Sequence, residues 1–124
     1  MSTLESIFKA LAEETRLRML ALLFRHGPVC VCEVEALLGI TQSKASRHLR
    51  YMANAGVLEA ERDGVTVNYR LPANPSPELA AVLVMLRGLL AGKDAGDPRA
   101  EAETLVQLRM TRSGANGEAV AVAG

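Results

Sequence analysis

The spacing of apolar residues changes once along this chain, and that change limits the folds open to it. As far as Gly56 the apolar residues recur at the helical period of about 3.6. Leu4, Ile7, Phe8 and Leu11 form one stripe, and Leu17, Leu20, Ala21 and Phe24 form the next. His26-Gly27-Pro28 stops that second helix. Val31, Val34, Leu37 and Leu38 mark a short third helix ended by Gly39. Thr41 is placed to cap a fourth, with Ala45, Leu49 and Met52 as its inner stripe and Gly56 as its end. Beyond Gly56 the period falls to about 2. Val67, Tyr69 and Leu71 alternate with Thr66, Asn68 and Arg70, with Tyr69 expected in the core. Leu58 and Ala60 mirror them across Asp63-Gly64, a strong hairpin signal. The expected fold class is mainly α with a small β-hairpin: a winged helix-turn-helix. The helix-turn-helix is expected at about residues 31–55 and the wing at about 58–71.

The 124 residues suffice for one domain, placed at 1–112, with a small, polar and flexible tail expected at 113–124. Ser76-Pro77 opens a fifth helix, and from Leu79 to Ala91 only Arg87 and Gly88 interrupt its apolar residues. A helix apolar all round must be covered all round. A second copy is the simplest cover, so a homodimer is expected through helices at about 3–12 and 77–91, with Leu83 and Leu86 at the interface. The other candidate cover is a last helix, opened by Asp97-Pro98 and running to about Arg112. The longest apolar run, Leu79 to Leu86, is far too short to cross a bilayer, and the N-terminus has no leader pattern. A cytoplasmic protein with no membrane partner is expected.

The formal net charge is zero, which argues weakly against nucleic-acid binding until its distribution is considered. Residues 41–70 carry five basic side chains, Lys44, Arg47, Arg50, Arg62 and Arg70, against Glu59, Glu61 and Asp63. The positive excess thus falls on the fourth helix and the wing. With Ala45, Leu49 and Met52 turned inward, helical geometry presents Ser43, Arg47, Arg50 and Asn54 on the opposite face, flanked by Lys44, Ser46 and Tyr51. Short hydroxyls and long cations suit a helix in the major groove of double-stranded DNA. Ser43, Lys44, Ser46 and Arg47, near the helix N-terminus, are the best base or near-base contacts. Arg50 is assigned to phosphate, and Arg62 at the wing tip to the minor groove. His48 is included among the DNA contacts, with a buried, hydrogen-bonded structural role as the equal alternative. An ordinary solvated helix face is the bland reading of the whole segment.

Cys30 and Cys32 are the only cysteines, and they sit at the start of the third helix. In a reducing compartment such a pair serves as ligands or sensors more readily than as a structural disulfide. In a regular helix, residues two apart point about 200° apart. Cys30 is then expected at the core edge with Val34 and Leu37, and Cys32 outward with Glu35 and Ala36. Chelation of one atom would have to unwind the first turn. The alternative is a small buried hydrophobe at Cys30 and an incidental surface thiol at Cys32. A thiol enzyme would need a base near the pair, and no His or Lys follows it closely, so the chain is expected not to be an enzyme.

Three stretches carry a family resemblance: Phe8-Lys-Ala-Leu-Ala-Glu-Glu-Thr-Arg-Leu17, Ser43-Lys-Ala-Ser-Arg-His-Leu49 and Asn68-Tyr-Arg-Leu71. They are similar to the ArsR/SmtB family of metal-responsive repressors, in order, from about residue 4 to 90. The resemblance implies a homodimer that binds operator DNA without ligand and releases it when a metal or metalloid binds. Val29-Cys-Val-Cys-Glu33 resembles the arsenic- and antimony-sensing branch, whose ligands start the third helix. That branch often has a third cysteine where this chain has Glu35. Cadmium- and lead-sensing relatives add N-terminal cysteines, absent here, and the fifth helix lacks the Asp and His of zinc-sensing relatives. The implied metal ligands are Cys30 and Cys32, with no cofactor required. The implied inducer is arsenite or antimonite, or a methylated trivalent arsenical that needs only two thiols. A repressor of the same fold responding to oxidants or reactive sulfur is the alternative.

Overall fold

Local capping fixes where each helix starts. The structure, a computed structural model, describes residues 3–91 and 97–119. In chain order it forms α1 (Leu4–Leu11), α2 (Glu14–His26), β1 (Val29–Cys30), α3 (Val31–Leu38), α4 (Gln42–Asn54), β2 (Glu59–Asp63), β3 (Thr66–Arg70), α5 (Pro77–Leu90) and α6 (Pro98–Ala119). Thr3 and Ser6 cap α1 reciprocally, Ser6 N–H donating to Thr3 Oγ1 at 3.1 Å and Thr3 N–H to Ser6 Oγ at 3.0 Å. Thr41 Oγ1 accepts the Lys44 N–H at 3.1 Å and so starts α4, and Ser76 Oγ accepts the Leu79 N–H at 3.2 Å at the head of α5. Gly39 ends α3 in the left-handed region, at φ 67°, which a side chain would strain.

The core gathers the inner stripes of the helices. Ile7, Leu20, Val34, Leu49, Met52 and Leu79 are almost fully buried, and Tyr69 of the sheet joins them as expected. α3 and α4 pack on each other, and α2 packs on both. α3, the turn after it and α4 form the helix-turn-helix. The wing follows, with Ala60 opposite Tyr69, Arg62 opposite Val67 and Asp63 opposite Thr66. The turn residues are therefore Gly64-Val65, one position later than the sequence suggested, and Gly64 has the positive φ of 68° that such a two-residue turn needs.

The sheet and the fifth helix also differ from the sequence expectation. The sheet has three strands, in the order β1-β3-β2, because Val29 pairs with Tyr69 and Cys30 with Asn68. A two-residue strand is too short to show a period. The second difference concerns α5. Leu83 is buried within its own domain, together with Leu79 and Val82, and so does not face a partner. The large apolar residues left exposed on α5 are Val84, Met85 and Leu89, accompanied by Leu4 and Phe8 of α1. The other face lies on α1 and α2, where the Arg87 guanidinium stacks 4.4 Å from the Phe24 ring centre.

α6 packs on α3, and the exposed face of α5 stays open with α6 in place. Leu105 is buried, and Glu101 accepts hydrogen bonds from Arg25 Nε and Nη2 at 3.0 and 2.9 Å. His26 Nε2 lies 2.8 Å from the same carboxylate. α6 continues to Ala119, past the expected end near Arg112, so part of the segment read as a tail is helical. Residues 120–124 of that segment lie outside the described residues. Among the described residues no helix is long and apolar enough to cross a membrane.

Candidate functional site

Helix α4 divides as its periodicity requires. Ala45, His48, Leu49 and Met52 are buried. Ser43, Arg47, Arg50 and Asn54 are exposed, and Lys44 and Ser46 are half-buried beside them. Arg50 Nη2 donates to Ser46 Oγ at 3.2 Å, one helical turn away, which aligns the cation along the face. Arg62 is exposed at the end of the wing. Arg70 is not a free cation: it pairs across the wing with Glu59 at 3.2 Å and Glu61 at 3.7 Å. Within residues 41–70 the basic side chains without an ion pair among the described residues are therefore Lys44, Arg47 and Arg50 on α4 and Arg62 at the wing tip.

His48 stands apart from that face. Its Nδ1 lies 3.1 Å from Arg16 Nη1, on the inner side of α4. A guanidinium only donates, so Nδ1 accepts and carries no proton. Burial holds this imidazole below the usual histidine range, with the Glu13 carboxylate opposing and Arg16 reinforcing the shift. Of the two placements open from sequence, this is the structural one, and it removes His48 from the DNA-facing set. Arg16 also donates through Nε to the Ala10 carbonyl and stacks 4.3 Å from the Tyr51 ring centre. It thereby ties the α1–α2 junction to the recognition helix. Sequence reasoning missed this role, although Arg16 lies inside the first of the three family-like stretches.

The thiol pair is arranged differently from a pair within a helix. Cys30 is the N-cap of α3, with extended backbone at φ −102° and ψ 171°, and only Cys32 is helical. The two side chains consequently converge. Their Sγ atoms are 3.0 Å apart, Cys30 buried and Cys32 exposed. No unwinding of α3 is needed to bring them together. Burial pushes the Cys32 thiol up, the neighbouring Cys30 sulfur adds to this, and Arg112 pulls the other way.

Around the sulfurs lies a charged cluster that the sequence did not reveal. Glu33 Oε1 accepts the Cys30 N–H at 3.1 Å, the Glu half of a capping box with Cys in the cap position. The Cys30-x-x-Glu33 spacing was the available signal for placing Cys30 outside the helix. Glu33 is only 1% exposed and is clamped by two arginines of α6. Arg109 donates to it through Nε at 2.8 Å and Nη2 at 3.1 Å, and Arg112 through Nη2 at 3.0 Å. Burial alone would push the Glu33 carboxyl up, but these hydrogen bonds outweigh it and hold it below the usual carboxylate range. Arg112 Nη1 reaches further, to Cys30 Sγ at 3.3 Å and Cys32 Sγ at 3.2 Å. Nitrogen and sulfurs form a nearly equilateral triangle. Beside it, a cavity of about 530 Å³ opens between α6 and the wing, with Thr66, Asn68, Arg109 and Arg112 among its lining residues.

Residues 13–60 match the family described as bacterial regulatory protein, arsR family. The arsenic resistance transcriptional regulator ArsR1 of Pseudomonas putida is 44% identical over 85 residues, 68% of this chain and 63% of that protein. The arsenical resistance operon repressor of Escherichia coli is 41% identical over 75 residues, 60% of this chain and 61% of that protein. Among solved structures, the AntR antimony-specific transcriptional repressor is 34% identical, with a TM-score of 0.56 over 72% of this chain and 76% of that one. The chain spans less than two thirds of the length of these curated relatives. Fold and likeness together define a winged helix-turn-helix domain of the kind found in bacterial regulatory proteins. Within that class, the chain belongs to the arsR family of bacterial regulatory proteins.

Proposed function

We propose that the chain is a homodimeric cytoplasmic repressor that binds operator DNA and lets go when trivalent arsenic or antimony binds Cys30 and Cys32. One observation carries this reading: two sulfurs 3.0 Å apart at the first residues of the helix-turn-helix. Two sulfurs each about 2.3 Å from one shared centre sit roughly 3.3–3.7 Å apart, so a few tenths of an ångström separate the resting pair from a chelating one. Thiols are the soft ligands that a thiophilic metalloid prefers. Arsenous acid carries three hydroxyls. Each thiol that bonds to arsenic displaces one, its proton leaving with the hydroxyl as water, and the oxidation state does not change. Two thiols leave the third position for hydroxide, a cellular thiol or the methyl group of an organic arsenical.

The route to DNA release follows from where Cys30 sits. It is at once the last residue of β1, paired with Asn68 of the wing, and the cap of α3. Spreading the sulfurs strains both attachments, which favours a conformation with a different wing and recognition-helix setting. Differential affinity for two such states is what ligand-driven release requires. DNA contacts are assigned to Ser43, Lys44, Ser46, Arg47 and Arg50, with Arg62 at the wing. The dimer is assigned to the open α1–α5 face of Leu4, Phe8, Val84, Met85 and Leu89.

An operator-shift assay tests the whole reading. Arsenite or antimonite should release wild-type protein from DNA, and Cys30→Ser or Cys32→Ser should bind DNA but no longer respond. Retention of a normal arsenite response by the double variant would place sensing elsewhere. A thiol-redox switch is the second reading, favoured by the same 3.0 Å contact. The raised Cys32 thiol works against it, because the thiolate is the form oxidised fastest. Release by peroxide but not arsenite would select it.

A further inference from the structure

We propose that Arg112 is a displaceable plug in the thiol site, and that α6 is a latch which a bound metalloid opens from its C-terminal side. This rests on the reading of Cys30 and Cys32 as the ligand pair. The guanidinium nitrogen Nη1 lies 3.3 and 3.2 Å from the two sulfurs, with the sulfurs 3.0 Å from each other. It occupies an apex nearly equidistant from both sulfurs, which is a position a shared ligand atom would take. A guanidinium only donates, so the sulfurs present lone pairs to it. Bonding to arsenic engages those lone pairs and fills the apex. Metalloid and Arg112 therefore compete for one position.

The same arginine fastens α6 to α3. Its Nη2 donates to Glu33 at 3.0 Å, while Arg109 holds the same carboxylate and the Pro28 carbonyl, at 3.2 Å. Earlier in α6 the attachments are independent of the sulfurs: Glu101 to Arg25 and His26, and the buried Leu105. Displacement should accordingly leave the end of α6, from about residue 106 onward, held by Arg109 alone and so loosened, with its beginning still docked. Linkage is reciprocal, so a chain without the plug should hold the metalloid more tightly.

Phenylarsine oxide is the probe, because its hydrated arsenic has two hydroxyls to exchange and needs no third protein ligand. Each thiol proton leaves with one hydroxyl as water, and arsenic stays trivalent. Hydrogen exchange along α6 is measured in the full chain with and without one equivalent, for wild type and Arg112→Ala. Exchange in residues 106–112 should quicken severalfold on binding, while residues 98–105 hold. Arg112→Ala should exchange fast in 106–112 before any addition and bind the arsenical about tenfold more tightly. Arg112→Lys keeps the charge but cannot bridge the sulfurs and Glu33 at once, so it should behave nearer to the alanine variant. Binding that leaves residues 106–112 unchanged, or weaker binding by Arg112→Ala, overturns the latch while the thiol reading stands. If the wild type binds no arsenical through Cys30 and Cys32, the thiol reading fails and the latch fails with it.

Discussion

Arg16 and His48 join the first two helices to the recognition helix through a 3.1 Å contact between Nη1 and Nδ1. The contact exists only while Nδ1 is unprotonated, since both partners would otherwise be donors. Burial lowers the folded-state value of His48 below that of the unfolded chain. The unfolded chain therefore binds the proton first as pH falls. The stabilisation is complete above the ordinary histidine range, and it declines as pH drops from that range through the depressed folded value. Unfolding midpoints in urea should fall on acidification below about pH 6.5, and His48→Gln should flatten that decline. An unchanged pH slope in the variant would remove His48 as its cause.

Glu33 is a buried carboxylate whose partners are two arginines on another helix. Removing one member of a buried ion pair leaves the others without compensation, at a cost of about 3–5 kcal/mol when all are buried. Arg109 and Arg112 are partly exposed, and solvent screens their side of the loss. Glu33→Gln, which retains an acceptor for the Cys30 N–H, is therefore expected to cost about 1–3 kcal/mol in denaturant unfolding. A change below about 0.5 kcal/mol, the size typical of a neutral surface substitution, would show the cluster to be energetically idle.

Arg47 is exposed on α4 and makes no tether to a neighbouring side chain among the described residues, whereas Arg50 is tethered to Ser46. Loss of a base-reading arginine costs about 1–3 kcal/mol and relaxes sequence preference. Loss of a phosphate contact weakens all sequences alike and reduces the salt slope by about one unit. Arg47→Ala should change which operators bind, and Arg50→Ala how tightly. Binding selections at two salt concentrations separate the two effects. Wild-type behaviour by both variants would mean that another surface reads DNA.

The open α1–α5 face sets a further test. Met85→Glu or Leu89→Glu should yield a folded monomer by light scattering, with operator binding weakened at least about tenfold. Leu83→Glu should instead unfold the domain, because Leu83 is buried within it. A wild type that is a folded monomer at micromolar concentration would end the dimer assignment.

The helices, the wing and the exposed residues of α4 were legible in the sequence because each follows from local periodicity and capping. Ser43, Arg47, Arg50 and Asn54 lie where a helical projection puts them. The thiol geometry was not legible, since it turned on whether Cys30 is the first helical residue or the cap before it. A shift of one position changes two diverging side chains into two touching ones. Glu33 with Arg109 and Arg112 could not be read at all: the partners are 76 and 79 residues apart in sequence, and no local pattern links them. The fifth helix showed the opposite limit. An all-apolar run announced two covered faces but not which residues belonged to each, and Leu83 fell on the inner one.

The 3.0 Å separation of Cys30 and Cys32 also bears on how fast the proposed sensor can answer a signal. Both donors come from one short stretch of chain whose conformation is set when the domain folds. The entropy of bringing them together is lost at folding and not at the moment of capture. A site assembled from distant segments must wait for them to meet. On the proposed reading, the first encounter with a thiol-seeking atom finds both donors together, so the pace of response is governed by arrival at the exposed Cys32 sulfur and by release of Arg112, and not by a search within the chain.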